Sequence, residues 1–175
     1  MTFASAVRTC FSKYLIFSGR ARRREYWYFI LFIILGSFAA GLIDQALFGI
    51  DVVATGEGTV VASNNGPIGS LFGLIVLIPS LSAGWRRMHD TGRSGLFLLY
   101  PMIVMVGIVT FAGLLGGFSP LLAGDFGALI AGGSALVIGV ALIIFFVSPL
   151  IVIWWLARPT EPSANAYGPV PEGKA

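Results

Sequence analysis

Two short stretches hold seven of the eleven basic residues of this chain and its one histidine: Gly19-Arg20-Ala21-Arg22-Arg23-Arg24-Glu25-Tyr26-Trp27 and Arg86-Arg87-Met88-His89-Asp90-Thr91-Gly92-Arg93-Ser94-Gly95. An acid beside a histidine suggests a general base, because a carboxylate can orient an imidazole. The spacing argues against it here. Neighbouring residues at a helix end point about 100° apart and do not face each other. Asp90 is instead expected to accept hydrogen bonds from the Thr91–Arg93 backbone N–H groups in a turn, and Ser94 to cap the helix that follows. A metal site lacks donors, since the chain has one histidine and one cysteine, Cys10. No catalytic residue, metal or cofactor is therefore assigned. Arginine offers a rigid donor fork that suits phosphate, and basic residues just inside a bilayer attract anionic lipid.

The arginines admit three readings. The first is a structural clamp, in which Glu25 and Asp90 pair with arginines across the two stretches. The second is a site for an anionic headgroup or phosphate, formed by Arg20, Arg23, Arg24, Arg86, Arg87 and Arg93. The third is a bare topology signal.

The elements that must position these residues are membrane spans. Hydrophobic residues make up 57% of the chain and charged residues only 11%, against roughly 25% charged in a soluble domain. Four uncharged stretches, Tyr26–Ile43, Gly58–Trp85, Ser94–Gly124 and Phe126–Ala157, divide the sequence. A helix needs about 20 apolar residues to cross the hydrocarbon core. Every Lys and Arg lies before the first stretch, between the second and third, or at and after the end of the fourth. Only acids, Asp44, Asp51, Glu57 and Asp125, occupy the other connections. This partition predicts four transmembrane helices with both termini cytoplasmic. All four tryptophans, Trp27, Trp85, Trp154 and Trp155, fall at cytoplasmic span ends, the level that indoles prefer.

The fold class is thus an all-α membrane protein with spans at about 26–48, 68–85, 95–116 and 129–156. Residues 1–18 form an N-terminal amphipathic helix expected to lie in the membrane interface, the alternative being a helix folded onto the protein's own cytoplasmic face, with Phe3, Ala6, Val7, Cys10, Phe11, Tyr14 and Leu15 on its apolar side. Residues 19–158 hold the spans, and 159–175 form a cytoplasmic tail expected to be extended or loosely ordered. Asn65-Gly66-Pro67 reads as the start of the second span. Pro79 and Pro149 are expected to interrupt the second and fourth spans. Asp44, the one ionisable residue near membrane depth, is expected to reach the outer headgroups.

Small residues at four-residue spacing in spans three and four, among them Gly113/Gly117 and Ala131/Ala135, fit a tight hairpin or a homodimer face. The basic pI of about 9.4 follows from topology rather than from nucleic-acid binding. The partners expected are the bilayer and anionic phospholipid.

The two stretches resemble a bacterial family of small inner-membrane proteins, domain of unknown function family 805. Its first motif maps to Gly19, Arg20, Arg23, Glu25, Tyr26 and Trp27. Its second maps to Arg86, Arg87, His89, Asp90, Gly92, Ser94 and Gly95, and a third, near the C-terminus, to Asn165, Tyr167 and Gly168. The resemblance spans essentially the whole chain, although this chain has an extra Arg22, a longer outer loop and a Gly-rich third turn. It implies an inner-membrane protein without an established biochemical role. The residues favour a non-enzymatic protein with a cytoplasmic arginine–acid cluster that binds headgroups or a partner protein. A small transporter or channel subunit and a lipid-headgroup enzyme using His89 and Asp90 are the alternatives.

Overall fold

A computed structural model describes residues 1–49, 51–54, 60–63, 66–116, 123–125, 127 and 135–171. Helix α1 (Phe3–Ser12) leads into α2 (Arg23–Phe48). A short antiparallel pair follows, β1 (Asp51–Ala54) and β2 (Val60–Ser63), in the register Asp51 to Ser63 and Ala54 to Val60. Next come α3 (Pro67–Asp90), a 3-10 segment (Gly95–Leu99), α4 (Tyr100–Gly116) and α5 (Ala135–Ala157). The helices α2, α3 and α5 are long and apolar enough to cross a membrane, and α4 is a shorter apolar helix. The loop expected at 49–67 carries the β pair. The outer turn at 117–128 and the small-residue pairs that depend on Gly117, Ala128, Ala131 and Gly132 lie largely or wholly outside the described residues.

Large apolar side chains point outward along the helices, including Ile34 and Phe38 on α2, Leu74 on α3, Leu114 on α4 and Phe146 on α5. That distribution suits helices whose outer face meets lipid rather than water. The interior is partly polar, with Arg86, Arg87 and Asp90 among the largest fully buried side chains. The apolar core, Cys10, Tyr26, Phe29, Ala83, Met88, Val152 and Leu156, sits beside them at the arginine-rich end of the helices.

α1 starts with a capping box in which Thr2 and Ser5 exchange side-chain and backbone hydrogen bonds. Its apolar face, expected to meet the membrane interface, is largely taken up by the protein itself. Ala6 and Cys10 are buried, and Phe11 packs edge-on against Phe29 and Phe32 at 5.6 and 5.9 Å. Leu15 and Ile16, beyond its end, stay exposed. The reason is geometric: α2 presents an aromatic surface of matching spacing next to it, so the face finds protein before it finds lipid.

Both prolines inside helices leave a carbonyl without its usual donor, because proline has no N–H. The chain supplies a hydroxyl at each. Pro79 frees the Ile75 carbonyl, which accepts from the Tyr14 hydroxyl at 2.9 Å. Pro149 frees the Phe145 carbonyl, which accepts from buried Ser148 Oγ at 2.8 Å. Ser82, one turn beyond Pro79, donates to the Lys13 carbonyl at 3.0 Å. The first proline is thus also where the segment after α1 is fastened to α3.

The start of α3 agrees with Gly66-Pro67 as its opening, with Pro67 in the first turn. Its cap comes from elsewhere. Asp44 is 1% exposed and does not reach outward. Its carboxylate accepts from Ile68 N at 3.0 Å and Gly69 N at 2.7 Å, the free donors of the first turn of α3. Gly66 allows that approach, because a Cβ there would lie 2.0 Å from Asp44 Cγ.

Candidate functional site

The three motifs meet at one end of the helices. Asp90, the last residue of α3, is fully buried. Its Oδ1 accepts from Arg20 Nε at 3.0 Å, and Oδ2 accepts from Arg87 Nη1 and from Thr160 Oγ1, the latter at 2.7 Å. One carboxylate therefore joins the segment before α2, the end of α3 and the segment after α5. The expected turn hydrogen bonds to Asp90 are not the ones formed. The turn N–H groups of Thr91, Gly92 and Arg93 bond the Met88 and His89 carbonyls, which leaves the carboxylate free for stronger, charged donors. Gly92 makes this turn possible with a φ of +73°.

The remaining donors of Arg20 and Arg87 are directed at main-chain carbonyls. Arg20 Nη2 donates to Glu161 O at 2.6 Å, and Nη1 to Ser163 O at 2.7 Å and Gly168 O at 3.4 Å. Arg87 donates to Leu156 O at 2.9 Å and to Arg158 O. Those carbonyls end α5, where no intrahelical donor remains. Arg86 Nη1 donates to Glu25 Oε1 at 2.5 Å, both side chains being buried, and ties α3 to the first turn of α2. Its Nε and Nη2 have no hydrogen-bond partner among the described residues.

His89 is held rather than poised. Its Nδ1 lies 3.0 Å from Gly19 O, and a carbonyl only accepts, so Nδ1 carries the proton. Its ring stacks on Tyr167 with centroids 3.8 Å apart and planes 5° from parallel. Its own carbonyl accepts from Asn165 Nδ2 at 2.9 Å. Gly19 reaches this position with a φ of +81°. Asp90 does not touch His89 among these contacts.

The C-terminal segment, expected to be extended or loosely ordered, is non-helical and held by specific contacts. Residues 158–171 run back across the helix ends as a strap. Glu161 N bonds Asp90 O at 3.1 Å, and Asn165 and Gly168 exchange two backbone hydrogen bonds. A Pro- and Gly-rich sequence has no helical period, but these carbonyls find fixed arginine donors and so need none. Thr160 and Glu161 belong to the cluster and were not singled out in the sequence. No spacing pattern distinguishes them there.

The six arginines read as a headgroup site fall into two groups. Arg20, Arg86 and Arg87 are buried and engaged internally, so an external headgroup cannot reach them without displacing the strap or an acid. Arg23 and Arg24 are exposed. Arg23 Nη1 makes a 3.3 Å contact with Ala157 O, and Arg24 has no hydrogen-bond or ion-pair partner among the described residues. Arg93 is half-buried, donates to Thr91 O at 2.9 Å and lies over the Trp155 ring at 5.2 Å. Ser94 Oγ accepts from Leu96 N at 3.4 Å, capping the 3-10 segment. Gly95 admits the Trp85 ring, which a Cβ would meet at 2.1 Å.

Reactive side chains are muted. Cys10 is fully buried, and burial together with the nearby Glu25 charge pushes its thiol up to about 12, so it stays a protonated, non-nucleophilic group. Among the described residues no group of three His, Cys, Asp or Glu side chains is placed to hold a metal.

The family described as "Protein of unknown function (DUF805)" matches residues 14–169, and the chain belongs to it. The chain is 37% identical over 94 residues to "Inner membrane protein YhaH" of Escherichia coli (strain K12), an alignment that covers 54% of this chain and 69% of that protein. It is 32% identical over 96 residues to "Inner membrane protein YhaI" of the same organism, covering 54% of this chain and 68% of that protein. No solved structure matches the chain. It is accordingly a membrane protein of a bacterial inner-membrane family.

Proposed function

We propose that the chain is a four-span, non-enzymatic protein with both termini in the cytoplasm. Its buried arginine–acid clasp locks the cytoplasmic span ends to the C-terminal strap. The arginines left outside the clasp form a platform for anionic headgroups or a partner protein.

The observation that carries this reading is the contact of Arg20, which precedes α2, with the Ser163 carbonyl, which follows α5. Residues that touch must share one side of the bilayer, so the number of crossings between them is even. Three long helices alone would give an odd number. A crossing by α4 as well makes the number even. Its 17 residues rise about 25 Å at 1.5 Å each, and the five-residue 3-10 segment before it adds about 10 Å, enough for a core of ~30 Å. The basic residues gathered at the clasp end support a cytoplasmic assignment for it.

A non-enzymatic role is supported by the held His89, the internally paired Asp90 and the muted thiol. Transport is disfavoured by the fate of the span hydroxyls. Ser70, Ser80, Ser82 and Ser148 all donate to backbone carbonyls, which leaves them with no evident path to line. Native mass spectrometry of the gently extracted protein tests the platform. Retained anionic lipid or a co-purified protein is the expected outcome. A bare chain, or substrate flux across reconstituted vesicles, overturns the reading.

A further inference from the structure

A groove of about 730 Å³ opens between the first turn of α2 and the strap, within the roughly 300–1,000 Å³ typical of small-molecule sites. Arg22, Arg23 and Arg24 line it, with Trp27, Tyr28 and Thr160 among the other walls, and no Asp or Glu among the described residues does. A neighbouring groove of about 530 Å³ sets Glu25 beside its basic residues Lys13, Arg20 and Arg22. The larger one has three arginines and, among the described residues, no acid to offset them.

We propose that this groove seats a single anionic phospholipid, with its headgroup phosphate between Arg23 and Arg24 and its glycerol and upper acyl chain against Trp27 and Tyr28. The proposal rests on the preceding reading that this end of α2 lies at the cytoplasmic membrane surface.

Three features favour a lipid over other anions. Arg23 with Trp27, and Arg24 with Tyr28, are pairs four residues apart, so each aromatic lies on the same face as its arginine and about 6 Å further along α2. α2 runs from this point into its apolar span, so the aromatics sit on the acyl side of the arginines. Trp27 is 37% exposed, and the apolar wall continues through Ala157 and Val170; free phosphate would leave that wall unused. Arg24, without an internal partner among the described residues, is a charge with capacity to spare. The guanidinium fork can take two phosphate oxygens at once. Burying Arg20, Arg86 and Arg87 in the clasp adds selectivity, because only the outer arginines can respond to a headgroup.

The test is binding of dioleoylphosphatidylglycerol and dioleoylphosphatidylcholine to the full chain in detergent, followed by native mass spectrometry, for the wild type, Arg23→Gln/Arg24→Gln and Arg23→Lys/Arg24→Lys. The wild type is expected to prefer the glycerol lipid. The glutamine pair should bind it about 25-fold more weakly, at the strength of two basic residues near a membrane surface, with an unchanged thermal midpoint. The lysine pair keeps the charge that directs insertion and loses the fork. It decides the question if the glutamine pair fails to insert, and a several-fold loss is expected. Wild-type lipid preference in both variants overturns the groove and leaves headgroup binding elsewhere on the platform standing. No lipid preference in the wild type overturns both. Displacement of the lipid by millimolar inorganic phosphate, or a co-purified protein seated in its place, overturns the choice of a lipid.

Discussion

Replacing Asp90 by Ala removes the one acceptor that two buried arginines share. Arg20 and Arg87 side chains are 1% and 0% exposed where they meet it, so each keeps its positive charge in a site without water. Breaking a buried ion pair in this way costs about 3–5 kcal/mol, and the hydrogen bond to Thr160 is lost besides. For a chain of this size each kcal/mol corresponds to about 2–4 °C in thermal midpoint. A fall of about 10 °C is expected in detergent, followed by fluorescence-detected size exclusion after heating. Asp90→Asn should recover part of it by hydrogen bonding alone. Adding Arg87→Met to Asp90→Ala should also recover part, since one unpaired charge goes with its partner. An Asp90→Ala protein that melts within 1 °C of the wild type would mean that the arginines are hydrated and the clasp does not hold the fold.

Three further outcomes follow from other contacts. Asp44→Ala uncaps α3 and should cost about 1–2 kcal/mol, read as a lower midpoint; an unchanged midpoint would remove the cap from Asp44. Gly95→Ala puts a methyl group 2.1 Å from the Trp85 ring, and overpacking of that kind costs about 1–3 kcal/mol; full wild-type stability would show that the ring does not occupy this place. Deleting residues 159–175 removes Thr160 and the carbonyls that Arg20 binds. It should lower the midpoint and expose Arg20 to dicarbonyl modification, whereas a tail with no structural part would change neither.

Much of this molecule was legible from its sequence for simple reasons. Apolar runs of span length and the order of charged residues need no tertiary information, and neither does Pro67 at the start of α3. That Glu25 and Asp90 face arginines from the opposite stretch was one of three open readings, because a sequence does not say which polar residues a fold brings within 3 Å. Six residues of one type look alike until burial separates Arg20 and Arg87 from Arg23 and Arg24. Asp44 looked like an interfacial acid because its partners, the Ile68 and Gly69 N–H groups, are backbone atoms more than 20 residues away. The strap was missed for the same reason. Its composition is that of a loose tail, and its order comes from carbonyls that meet the donors of Arg20 and Arg87.

Fusions to a cytoplasmic fluorescent reporter and to a periplasm-dependent phosphatase, placed after residue 175 and within the loop between β1 and β2, address whether the motifs and the strap share one side of the bilayer. Bright fluorescence and no phosphatase activity at the C-terminus, with the reverse in the loop, are expected of four crossings with the clasp in the cytoplasm. Phosphatase activity at both sites would separate Arg20 from Ser163 by a membrane, and the clasp could not exist.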